Sequence, residues 1–173
     1  GPARGQMFGV LDCVDDNGQM VVLRAFSGQY NGIWNADGWV PPLFDVEAYD
    51  EIMIPGDRQI KELGGIMETL NSDHPKLASL KKQRKELSRI IMKDLHNLYE
   101  VHNFCGEKKS LNDFFKAFNG PPTGAGDCCA PKLLNHAAKN NLQPLGICEF
   151  YWGKTNPSKT RVHGQFYSSC TDK

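Results

Sequence analysis

The sequence carries no excess charge, no long apolar run and no repeat. Its 20 Lys and Arg residues balance 20 Asp and Glu residues over 173 positions, so the molecule as a whole has no electrostatic preference for nucleic acid or membrane. No stretch approaches the roughly 18 apolar residues of a membrane span, and no apolar core of a secretory signal is visible. A disulfide framework is also unneeded. The six cysteines, at 13, 105, 128, 129, 148 and 170, lie in a chain long enough and apolar enough to bury a core without staples. Reduced thiols, in the cytoplasm or another reducing compartment, are the expectation.

What is present describes one α+β domain over 7–173. Gly1-Pro2 reads as a protease-cleavage scar, which makes 1–6 a leader. MFGVLDCVDDNGQMVVLRAFSG is a hairpin turning at Asp15-Asp16-Asn17-Gly18. Pro41-Pro42 excludes a central strand at that point. A short helix is expected from Pro55 to Leu70, frayed at Gly64-Gly65. Ser72, Asp73 and Pro75 then signal the start of a long helix running to about Phe104, an appendage over 72–104 that stops at Cys105-Gly106. A short helix from Ser110, the GPPTGAG linker and a helix from Cys128 to about Asn141 follow. PLGICEFYWG and RVHGQFYSS read as neighbouring strands. The expected architecture is a mixed sheet of about four to six strands with helices packed on it and one long amphipathic helix beside it.

That long helix has two sides. Leu77, Leu80, Leu87, Ile91, Leu95 and Leu98 form an apolar stripe suited to the domain's own core or a partner helix. Lys81, Lys82, Lys85, Arg89 and Lys93 form a basic face, which is either solvated or able to follow an RNA phosphate backbone. No aromatic residue interleaves with these lysines, so base stacking is not suggested there.

The chemistry concentrates in GAGDCCAPKLLNHAA, which places Cys128 and Cys129 at a helix mouth. Unpaired N–H groups and the positive end of the helix dipole stabilise a thiolate at such a position. His163, Cys170 and Asp172 follow in RVHGQFYSSCTDK. Either these residues meet, or the cysteines are small core residues and the glycines ordinary punctuation. Glu149, in an apolar strand, needs solvent, a cation or a raised pKa.

PPTGAGDCCAPKLLNHAAKNNLQPLGICEFYWG followed by RVHGQFYSSC resembles the region that precedes the catalytic domain in a group of RluA-type RNA pseudouridine synthases. FGVLDCVDDNGQMVVLRAFSG, VPPLFD and GEKKSLNDFF extend the resemblance over most of the chain. It implies an RNA-modification context, RNA or a nucleotide as ligand, and a C-terminal catalytic domain as a possible partner. It does not transfer the isomerase activity, because the HRLD-like motif carrying that family's catalytic aspartate does not occur here.

The order of hairpin, helix opening with Cys128, strand and cysteine-bearing segment is similar to the zinc-dependent nucleobase deaminases. That resemblance implies a deaminase-like fold with zinc held by Cys128, His163 and Cys170, with Cys129 as an alternative ligand. Ala130 stands where those enzymes carry glutamate two residues after the first ligand, and Glu149, then Asp127, are the candidate replacements. Two other readings remain open. Cys128, His163 and Asp172 also match the order of papain-like and transglutaminase-like nucleophilic enzymes, with helix-mouth N–H groups as an oxyanion hole. A non-catalytic adaptor presenting the long helix to RNA or protein is the third.

Overall fold

The computed structural model describes residues 4–118 and 120–169. Strands β1 (Gln6–Val14) and β2 (Met20–Phe26) form the expected hairpin, paired from Phe8↔Phe26 to Val14↔Met20. Asp15 closes the turn by accepting from the N–H groups of Asn17 and Gln19. Gly18 alone in this turn takes a positive φ, +76°, a conformation other residues enter at a cost.

After an irregular stretch come α1 (Val46–Glu68) and α2 (Lys76–Leu98), which pack on each other. α1 begins nine residues before the expected Pro55. Asp45 caps it by accepting from Ala48 N–H, and Pro55 is carried inside the helix on an exposed stretch. α2 stops at Leu98, short of the expected Phe104, because Tyr99 turns extended and is buried at 4% exposure. β3 (Glu100–His102) and β4 (Lys108–Ser110) follow as a two-stranded hairpin. Cys105-Gly106 therefore lies in a hairpin turn and is not a helix stop. Asn103 organises that turn by accepting from Cys105 and Glu107 N–H.

Ser110 caps the short α3 (Leu111–Phe114) through Asp113 N–H, and a 3₁₀ turn spans Lys116–Phe118. α4 (Cys129–Lys139) and β5 (Gln143–Trp152) then lead to β6 (Phe166–Tyr167). The main sheet has four strands in the order β2-β1-β5-β6, every pair antiparallel. The expected mixed sheet is thus corrected to an antiparallel one. Each neighbouring pair is joined by a hairpin or by a connection that lets the chain return in the opposite sense.

Two cores result. Leu11, Cys13, Ala25, Val40, Cys129, Leu133 and Ala137 are sealed between α4 and the sheet. Each fully buried aliphatic side chain there, such as Leu133, contributes roughly 1.5–3 kcal/mol. Leu43, Phe44, Tyr99, Leu111 and Ala125 form the second core, which anchors the base of the α1–α2 pair beside β3 and β4. The rest of that pair stands clear of the sheet, consistent with its many half-exposed apolar positions such as Ile54, Ile66 and Ile90. No helix among the described residues is long and apolar enough to cross a membrane.

Candidate functional site

Because α4 lies across the main sheet, its first turn meets side chains from β1, β2 and β5. Cys128 is the N-cap residue, with φ −70° and ψ 162°, and Cys129 is the first helical residue. One step along the chain separates opposite environments. Cys129 is 1% exposed, with Sγ 3.5 Å from the Met7 carbonyl oxygen and 3.6 Å from that of Ala25. Burial, and secondarily the charge of Glu149, push its thiol up to about 12. A thiol held protonated as a donor to two carbonyls is a core residue and not a zinc ligand.

Cys128 is half-buried and lines an open cleft of about 1220 Å³. Arg4, Gln29, Trp34, Lys154 and Thr155 are also on its walls. An isolated parallel bridge between Arg4 and Lys154 brings their two cationic residues to one rim. Trp34 is held edge-on by Phe44 at 5.0 Å and Tyr49 at 5.2 Å. The floor is tied together by hydrogen bonds: Gly28 N–H donates to Asp127 O, and the Gln6 side-chain Nε2 to the carbonyls of Ser27 and Gln29.

Glu149 is buried at 6% exposure, and its Oε1 accepts from Ala130 N–H at 2.9 Å. Carboxylate and helix dipole favour each other, so the acid serves as a tertiary cap on α4. Lys132, 1% exposed, donates from Nζ to the carbonyls of Phe26 at 2.8 Å and Gly28 at 3.4 Å, and lies 4.6 Å from the Phe26 ring centroid. It clamps the hairpin end to α4 and so holds the cleft floor. Burial lowers its pKa. Tyr99 donates to Asp127 Oδ1 at 2.8 Å, fixing the residue just before Cys128.

His163 is placed elsewhere. Its Nδ1 accepts from Gly153 N–H at 3.0 Å, and its ring lies 4.2 Å from that of Trp152. Strand alternation sends Trp152 to the sheet face opposite Glu149 and Tyr151, whereas α4 packs on the Glu149 face. The structure therefore brings Cys128, Asp127 and Glu149 to the mouth of α4 and leaves His163 with Trp152. Cys170 and Asp172 lie outside the described residues. Among the described residues no group of three or more His, Cys, Asp or Glu side chains is placed to hold a metal ion. Lys81, Lys82, Lys85 and Arg89 are exposed along α2, with Arg89 paired to Glu86 at 3.2 Å.

Sequence reasoning missed Lys132 and the capping role of Glu149. The signal for Lys132 was its three-residue spacing from Cys129, which puts a cation on the buried side. These placements set thiol reactivity. With iodoacetamide near neutral pH, exposed Cys105 and Cys148 are expected to alkylate first, and buried Cys13 and Cys129 only on unfolding. Peptide mass spectrometry reads the order, and native labelling of Cys129 ahead of Cys148 contradicts the packing described.

Comparison with protein-family models, with curated proteins and with solved structures finds no match to this chain.

Proposed function

We propose that this chain is a nucleotide-binding module of deaminase-like build that serves RNA modification and performs no deamination itself. The observation that carries the reading is the cleft beside Cys128, where Arg4 and Lys154 share a rim with the ring of Trp34. Two cations suit a phosphate, an aromatic ring suits a base, and the Gln29 and Thr155 side chains offer donors and acceptors to its edge. The hairpin, the helix opening at Cys128 and the return strand β5 beside β1 support the deaminase-like build. Ala130 occupies the position of the proton-shuttling glutamate, and Glu149 is committed to the Ala130 N–H, which supports binding without catalysis. The resemblance to the region preceding pseudouridine synthase domains supports the RNA context.

Calorimetric titration with CMP, UMP, AMP and GMP tests this. Saturable binding is expected, stronger than for the matching nucleosides and weakened roughly tenfold by Lys154→Glu or Arg4→Glu, in line with loss of a charge-assisted hydrogen bond. Both positions are exposed, so the fold is retained. No ammonia is expected from cytidine or adenosine nucleotides. Affinity indifferent to both charge reversals, or steady ammonia release, overturns the reading.

A further inference from the structure

The main sheet has one covered face and one open face. α4 packs against Gly9, Leu11, Ala25 and Glu149, and among the described residues no helix packs on the opposite face. On that open face the strand register lines up three phenylalanines, Phe8, Phe150 and Phe166. Phe8 is opposite Phe150 and Phe150 opposite Phe166, while Phe26, opposite Phe8, is buried at 4% exposure against Lys132 and Trp39. Ring centroids are 6.0 Å apart for Phe8–Phe150 and 6.0 Å for Phe150–Phe166, and Trp39 borders the row at 5.6 Å from Phe8. Trp152, two positions along β5 from Phe150, adds a further ring with His163 against it. The outer rings are in water: Phe166 is 73% exposed and Trp152 56%.

Isolated exposed aromatics need no explanation, but a contiguous row across three strands does. Its chemistry follows from the charge beside it. The β5–β6 connection, GKTNPSKTRVHGQ, carries Lys154, Lys159 and Arg161 and not one acid. Arg24 is exposed on β2, next to Phe26 on the same face. Among the described residues none of these four cations forms an ion pair. Arg161 lies 4.4 Å from the ring of Tyr167, which is in register with Glu149 and so belongs to the covered face, leaving Lys159 and Arg24 as the cations available to the row. Rings in a row with unpaired cations along their edge suit a polymer of flat bases on a phosphate backbone.

We infer that the open face of the sheet is a binding platform for single-stranded RNA. Bases stack on Phe8, Phe150, Phe166 and Trp152, and the backbone follows Lys159 and Arg24. A duplex is disfavoured because its bases already stack on each other and present only edges. This surface is distinct from the cleft at Cys128. Lys154 borders both, so the test relies on residues belonging to the platform alone.

Fluorescence anisotropy with a labelled single strand of about 12 nucleotides, within the span of sheet-type binding sites, and with the corresponding duplex, decides the matter. The single strand is expected to bind more tightly. Phe166→Ala and Trp152→Ala should each weaken it by roughly fivefold or more, the loss of one stacked base. Lys159→Glu with Arg24→Glu should flatten the dependence of affinity on salt. Both aromatic variants remove solvent-exposed rings, and circular dichroism verifies the fold. Arg4→Glu, which acts in the cleft, should leave strand binding unchanged, so failure of the nucleotide proposal is distinguishable from failure of this one. Equal affinity for duplex, wild-type affinity in both aromatic variants, or self-association through this face that RNA does not reverse overturns the inference.

Discussion

Gly9→Val is expected to destabilise the protein by about 3 kcal/mol, enough to threaten the native state, as overpacking of a tight interface does. A Cβ built at Gly9 would stand 2.7 Å from the Cys129 Cβ and 3.0 Å from the Leu133 Cδ1. Both partners are less than 2% exposed and belong to the core under α4, so neither has space to retreat into. The close approach of α4 to β1 requires a residue without a side chain at this point. Urea unfolding followed by circular dichroism measures the loss. Gly9→Ala combined with Cys129→Gly removes the colliding Cβ and should recover part of the stability lost in Gly9→Ala alone. An unchanged midpoint in Gly9→Val would mean that α4 does not seat Cys129 against β1.

A steep loss of stability above pH 9 is the second expectation. The Cys129 thiol is pushed from 9.0 up to about 12, chiefly by burial. Between those values the folded state keeps a proton that the unfolded chain releases. Stability is therefore fully present below pH 9 and is lost as the pH rises, by roughly 4 kcal/mol at the alkaline end. Tyr99 acts in the same sense above pH 10, because burial and then the charge of Asp127 raise its hydroxyl from 10.0. On the acid side, burial lowers His96 and His136 below 6.5. The folded state then resists protons that the unfolded state takes up, and stability declines as pH falls below about 6.5. Thermal unfolding from pH 5 to 11 should give a plateau between about 6.5 and 9, and Cys129→Ala should soften its alkaline edge. A flat profile through pH 11 contradicts the burial of Cys129.

Much of the fold was legible because it is local. The β1–β2 hairpin follows from alternation and Asp-Asn-Gly chemistry, and α4 from the glycine-rich entry and the spacing of Cys129, Leu133 and Ala137. Of the elements that went wrong, one was decided by distant contacts and the other by a local cap. α2 ends at Leu98 since Tyr99 is drawn into a core with Leu43 and Phe44, while its own sequence could continue a helix. α1 starts early because Asp45 caps it, and the Pro55 that reads as a beginning lies within it.

The site divides in the same way. The sequence by itself determined that Cys128 and Cys129 stand at a helix mouth, that Ala130 and not an acid stands two residues after Cys128, and that positive and negative residues balance. Only the tertiary structure decided that Cys129 is sealed and Cys128 faces a cleft, that Glu149 caps α4, and that His163 belongs to Trp152. Chain-local periodicity sets which residues share a face of one element. Sheet order and strand register set which faces meet, and these arise from pairings between segments more than a hundred residues apart, such as Gly9 with Glu149.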